Sequence, residues 1–430
     1  MAAVFADSEF VGIDLSPVQI AAGRREMASL GLENLDLQVG DIATLSAELG
    51  TFDFVLAHGV FSWVSRPVQE GLLRTVRACL SAQGAAFVSY SALPGAYPRQ
   101  ALRELLLWKV RGETDPARRV ELARRFAEFI ATHATNRAPH AAALRRLVGE
   151  MGGMSDAYVL HDYLSEVHEP VTLSTFVARA AEHQLQYLGD AQFHSMFSEE
   201  LDTEVRREAL DQVSFEQTLD FLTHRPFRTS LLCRAERELD RALSWERLEG
   251  LYLSSRSVAG DSQDGVTLFR TPAGETFGTD SPLVAQALTQ LVSAWPRPIS
   301  FGALCTSARL AVDDQRDTAA DREVLGRNLV AAFAANQVEL GTGDRRIAPA
   351  VATLPRASSA ARAQAASGTS ATNLWHEPVA LEPWMRALLP LLDGTRSRAQ
   401  LLAGLAGMSA GSAELEVQLA RLAADAFLMR

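Results

Sequence analysis

Lysine is all but missing from this chain. Lys109 is the only one, so arginine supplies the other 40 of the 41 basic residues. An arginine-based surface is physically ordinary, and the bias reads as the imprint of a GC-rich genome. Cysteine is scarce too: Cys79, Cys233 and Cys305 lie far apart, which excludes a disulfide framework or a zinc ribbon and fits a reducing compartment. No apolar run reaches the roughly 18–20 residues that a membrane-spanning helix needs. The opening residues Met1–Asp7 lack a basic stretch and a long apolar core, so no signal peptide is evident. Positive charge is also in deficit. A formal net charge of −11 argues against a general binder of phosphate backbones. The expectation is a cytoplasmic protein with neither membrane nor nucleic acid as partner. With 430 residues, 47% hydrophobic and 22% charged, the chain has material for two to four domains with sizeable cores.

The first ninety residues alternate strand and helix. Phe10–Ile13 is a short apolar run ending at Asp14, as in a buried parallel strand. Ser16-Pro17 supplies an N-cap with proline at the first helical position, opening a helix through about Leu30. Leu35–Val39, Phe52–Ala57 and Ala85–Tyr90 read as further strands, with a helix from about Pro67 to Leu80 ended before the last by Gly84. Such alternation implies right-handed crossovers and an α/β doubly wound sheet, whose ligands sit outside the carboxyl ends of the strands. Asp14, Asp41, His58 and Tyr90 stand at those ends.

A carboxylate at Asp14 can accept two hydrogen bonds from the vicinal hydroxyls of a ribose. Asp41, after the next strand, is placed to accept from an exocyclic adenine amine, and Ile42 beside it to cover the adenine face. Together these residues describe a nucleoside pocket. A lone acid after a strand is more simply a helix cap; two at successive strand ends carry more weight.

Phe10–Ser16, Gly40–Ile42, Phe52–Trp63 and Val88–Gly95 resemble class I S-adenosylmethionine-dependent methyltransferases. His161–Leu164, Leu185–Asp190, Phe227–Arg234 and Leu391–Arg396 are similar to segments of the bacterial subfamily that carries a methyltransferase regulatory domain and includes protein lysine methyltransferases. The resemblance implies a Rossmann-like sheet, S-adenosyl-L-methionine as cofactor, cofactor contacts at Asp14, Ser16, Gln19, Asp41, Ile42 and His58, and catalytic roles for His58, Trp63 and Tyr90. Trp63, with Phe61, would hold the acceptor amine by cation–π contact, and His58 would touch cofactor or relay a proton. No metal is implied. The family's first strand and Gly-rich loop precede the Asp14 strand and are missing here. The expectation is therefore a start assigned too far downstream, or a fragmentary gene, with two inner sheet edges lacking partners. Ser91 and Ala96 stand where the family often has Asn and Trp.

The rest reads as further domains. The boundaries expected are an incomplete methyltransferase domain at 1–110, a helical insertion at 111–170 suited to a lid or dimer contact, and the end of the sheet with a regulatory segment at 171–235. A middle winged-helix-like unit follows at 236–349, opened by a helix from Glu236 to about Leu248. A flexible Ala/Ser/Arg-rich linker at 350–372 then leads to a C-terminal helical, winged-helix-like unit at 373–430. His161, Glu166, His168 and Glu169 mimic a metal cluster, but no third ligand of fixed geometry follows, and a structural or lid role is the simpler reading. Three functions stay open: a methyltransferase acting on protein lysine as a homodimer, a catalytically inactive protein-binding remnant, and a small-molecule methyltransferase.

Overall fold

The computed structural model describes all residues except 46, 135–140, 198–204, 208, 261–264, 313–317, 406–407 and 409–410. It divides into two compact units, Met1–Val39 with Arg241–Arg430, and Gly40–Asp240. The first two strands pair with each other, and four later ones form a ladder of their own.

In the first unit, β1 (Phe10–Asp14) runs parallel to β2 (Leu35–Val39), in register from Phe10 opposite Leu35 to Asp14 opposite Val39. α1 (Pro17–Leu30) joins them, capped by the Ser16 hydroxyl and closed by Gly31, whose φ of 64° needs a residue without a Cβ. Asn34 donates its side-chain amide to the carbonyls of Ala2, Phe5 and Ser8, pinning the leading segment. Neither strand is buried as the sequence suggested, for both alternate half-buried and exposed residues.

The remainder of this unit has two large cores beside a small cluster of Ile347, Leu374, Trp375 and Ala426. Leu248, Leu253, Phe269, Leu288, Phe301, Leu304 and Leu329 form one core; it includes a hairpin, Thr267–Arg270 against Thr276–Thr279, and the helix Pro282–Ala294. Leu388, Leu392, Leu401, Leu415, Leu419 and Phe427 anchor the other. Two expectations fail here. Glu236–Leu248 is not a helix but an irregular stretch ending in a short 3-10 turn, Trp245–Leu248. The supposed linker is built structure: Ser359–Ser367 is a helix that buries Ala361 and Ala365 in the second core. Alanines one turn apart make a thin apolar stripe that composition hides, yet they let a helix approach closely.

The second unit holds a four-stranded sheet in the order β3 (Phe52–Ala57), β4 (Leu80–Ser91), β6 (Phe227–Arg234), β5 (Leu185–Asp190). β3 and β4 are parallel, while β6 is antiparallel to both its neighbours, the closing pair expected from sequence. α2 (Arg66–Cys79) and α7 (Leu173–Glu182) supply apolar residues to the sheet's core, where Leu73, Val76, Val88, Phe61, Tyr90 and Phe176 pack. Gly84 lies inside β4 rather than ahead of it, since a Cβ there would come within 2.9 Å of the Asp53 carbonyl. Phe54 and Leu56 of β3 stay exposed. The insertion, α3 (Tyr97–Val110), α4 (Pro116–His133), α5 (Ala141–Gly152) and α6 (Asp156–Leu164), has its own core of Leu102, Leu106, Ala123, Leu147, Val159 and Tyr163. α8 (Gln212–Thr223) precedes β6.

Candidate active site

Local backbone geometry sets the acids at the strand ends. Asp14, the exposed last residue of β1, accepts the Ser16 N–H on Oδ1 at 2.7 Å, while the Ser16 hydroxyl caps α1 by accepting from Gln19 N at 3.3 Å. The cap commits Ser16's oxygen. Gln19 is exposed in the first turn, and Asp14 Oδ2 carries no hydrogen bond among the described residues. In the second unit Asp41, also exposed, accepts from Ala43 N on Oδ1 at 2.9 Å and closes a turn with its carbonyl on Thr44 N and Leu45 N. Gly71 of α2 permits that turn, because a Cβ there would lie 2.5 Å from the Ala43 Cα. Ile42 is half-buried against the sheet's core, which leaves part of its side chain for a ligand.

His58 is exposed just past β3, its ring 5.9 Å from that of Phe87 and 6.1 Å, edge-on, from that of Phe227. Gly59 follows at a φ of 68°, its N–H donating to the buried Ser89 hydroxyl at 2.8 Å. The turn Phe61–Trp63 comes next, and here burial bears on the roles expected for Phe61 and Tyr90. Phe61 is wholly buried, edge-on to Phe176 at 5.2 Å. Tyr90 is buried as well, stacked on Phe176 at 4.3 Å, with its hydroxyl 3.0 Å from that of Ser230. Burial holds the Tyr90 phenol protonated well above the usual range. Neither ring faces a channel; apolar packing of β4 against α7 has claimed them.

Trp63 is half-buried with its ring already occupied. His168 lies 4.4 Å from it, His161 4.8 Å, and the Arg103 guanidinium 5.1 Å over it. A cation–π hold on an incoming amine would have to displace Arg103, which is buried and donates to the carbonyls of Asp162 and Ser165. Burial lowers the Arg103 pKa to about 10, so it remains a cation at neutral pH. His161 and His168 therefore flank an indole, and the helix that carries His161 ends at Leu164, ahead of His168. Among the described residues no three His, Cys, Asp or Glu side chains gather to hold a metal.

Two clusters escaped sequence reasoning. His168 bonds Gln100 Oε1 through Nδ1 at 2.6 Å and the Ser91 hydroxyl through Nε2 at 3.0 Å. Arg228, fully buried on β6, pairs with Asp220 at 2.7 Å, Glu216 at 2.9 Å and Asp190 at 3.3 Å. The signal for the second was present as an acid-rich α8 ahead of an arginine in an apolar strand. Burial alone would depress the Arg228 pKa, but hydrogen bonds to Asp220 outweigh it and keep the guanidinium charged.

Three family models match in succession: a methyltransferase domain over residues 1–84, a "Predicted methyltransferase regulatory domain" over 155–234, and the PKMT C-terminal winged helix domain over 354–424. An uncharacterized protein of Rickettsia prowazekii is 25% identical over 94% of this chain and 76% of its own length. A second one from the same organism is 29% identical over 44% of this chain and 75% of its own. The structure of PKMT2 from Rickettsia typhi, solved also in complex with AdoHcy, shares the fold. The AdoHcy complex gives a TM-score of 0.86 at 23% identity, over 99% of this chain and 90% of that one. With a methyltransferase domain, a regulatory domain and a winged-helix domain in that order on this fold, the chain is a class I S-adenosylmethionine-dependent methyltransferase of the kind that carries a methyltransferase regulatory domain.

Proposed function

We propose that this methyltransferase acts on lysine side chains of protein substrates. What supports the cofactor half of the reading is that Asp14 and Asp41 are each an exposed carboxylate at or just past a strand's end, with one oxygen engaged by its own turn and the other without a hydrogen bond among the described residues. Asp14 accepts from the ribose hydroxyls and Asp41 from the adenine amine; these are separate contacts, each open to its own variant. Gln19 and His58, both exposed, are further cofactor contacts, whereas Ser16 acts mainly through its cap. S-adenosylmethionine supplies a methyl group already activated by the sulfonium charge.

The acceptor half is supported by the PKMT winged-helix match and by the likeness to a protein lysine methyltransferase fold. The protein must align the amine for in-line attack and strip its proton, since a lysine has a reference pKa of about 10.4. Exposed His58 is placed to relay that proton. Trp63, its ring filled by Arg103 and two histidines, shapes the entrance instead of caging the cation. A homodimer built on the insertion is part of the reading: Trp108 and Phe129 are exposed there, and Phe126 lies 6.0 Å from the first and 6.4 Å from the second.

Mass spectrometry of bacterial proteins incubated with the chain and a methyl-labelled donor tests the reading. Labelled methyl-lysine in acceptor proteins is expected, and Lys109 is the only lysine through which self-methylation could intrude. Label found only in small molecules, or in no product, would contradict it.

A further inference from the structure

Segment 165–171 lies against the carboxyl ends of the sheet's parallel strands, and its bonds are of two kinds. The backbone ones tie Glu169 N to the Ser62 carbonyl at 2.8 Å, Val171 N to the Ser91 carbonyl at 3.1 Å, and Leu93 N to the Val171 carbonyl at 3.0 Å. Ser62 in turn accepts the Ser91 N–H on its hydroxyl at 2.9 Å. The turn after β3, the end of β4 and this segment thus share one ladder where a doubly wound sheet takes its ligands.

The side-chain bonds converge on His168, which is buried. Gln100 Oε1 carries no hydrogen, so Nδ1 of the imidazole donates to it, and Nε2 of the neutral ring accepts from the Ser91 hydroxyl. The same ring lies on Trp63. The mechanism above leaves His168, Gln100 and Ser91 without a role. We propose that His168 is a positioning residue for methyl transfer: through Ser91, Gln100 and Trp63 it locks segment 165–171 onto the ends of β3 and β4 and fixes the entrance through which the acceptor side chain reaches the methyl group. This rests on the methyltransferase reading and extends it to the acceptor side. Burial, aided by the charges of Arg103 and Arg99, keeps the imidazole neutral down to a pKa of about 4, which preserves the one-donor, one-acceptor pattern at neutral pH. An ångström of slack at an entrance is enough to degrade in-line alignment severely.

The test compares the full chain with His168→Ala, His168→Gln and Ser91→Ala. Three readouts serve: turnover on the acceptor protein, calorimetric affinity for S-adenosylhomocysteine, and hydrogen exchange of amides 165–171. His168→Ala should lower kcat tenfold or more, keep cofactor affinity within twofold, and speed exchange of the segment at least tenfold. His168→Gln, which can still bond Ser91, should recover part of kcat. Ser91→Ala, the milder change, should move in the same direction even if His168→Ala fails to fold. Unchanged kcat in folded variants would overturn the assignment, as would kcat and cofactor affinity falling together, the mark of a merely structural residue. The exchange arm is independent of catalysis. If the wild-type chain bound no S-adenosylhomocysteine, the methyltransferase reading would fall while exchange still judged the lock, and unaltered exchange would reject it.

Discussion

At the scale of single residues, the account separates groups that touch ligand from groups that hold the fold. Arg228 belongs to the second class. Its removal would leave Asp220, Glu216 and Asp190 facing one another in a buried site. Arg228→Met should therefore cost about 3–5 kcal/mol, seen as a drop in the urea midpoint, whereas an exposed change such as Arg125→Met should stay within about 0.5 kcal/mol. His168 makes a prediction in pH. Its folded pKa of about 4 lies below the ordinary histidine value of 6.5, so between those values the unfolded chain binds the extra proton. Stability should rise with pH across that window, by up to about 3 kcal/mol, and be complete above it. The groups facing the ring are Gln100, Ser91 and Trp63, with the charges of Arg103 and Arg99 nearby, and His161 reaches it only across the indole. Urea melts at pH 4.5 and 7 should show the dependence shrinking in His168→Gln. Asp14 and Asp41 stand at strand ends as the sequence suggested, because an acid closing a short apolar run marks that boundary. His168 was visible only as half of a false metal pair, since its partners Ser91 and Gln100 are far off in the chain.

Elements carry a different kind of evidence. Strand and helix periods placed β1, β2, β3, α1 and α2 within a residue or so, because each is punctuated by proline, glycine or an acid, whereas β4 begins five residues ahead of the expected Ala85. The failures have physical causes. Alanine did not register as apolar in Ser359–Ser367, although Ala361 and Ala365 are buried. Glu236–Leu248 has charges in helical number but too little apolar surface to hold a helix down. An apolar run also cannot reveal whether anything covers it, as exposed Phe54 and Leu56 show. One element contact is open to test. Gly71 lets α2 lie against the turn of Asp41, with no room for a methyl group beside the Ala43 backbone. Gly71→Ala should destabilise the chain by about 1–3 kcal/mol through overpacking and weaken S-adenosylhomocysteine binding severalfold by displacing Asp41. An unchanged melting temperature and affinity would show that the turn yields freely.

For the whole molecule, the acidic balance and the three successive domain matches exclude little about the acceptor, and assembly is the first question to put. Sedimentation velocity should find twice the chain mass, with the double variant Trp108→Ser, Phe129→Ser reduced to single chains; a monomeric wild type would end the dimer proposal. The cofactor half of the proposal rests on the roles given to Asp14 and Asp41, each judged by its own variant. Calorimetric titration of the chain with S-adenosylhomocysteine tests this most directly, alongside Asp14→Ala, Asp41→Ala and, as a control, Asp36→Ala on the exposed side of β2. The account predicts saturable binding that weakens about tenfold or more, or about 1.4 kcal/mol, in each of the first two variants and is unchanged in the control. A wild-type chain that takes up no ligand, or Asp14 and Asp41 variants that bind as tightly as wild type, would contradict it.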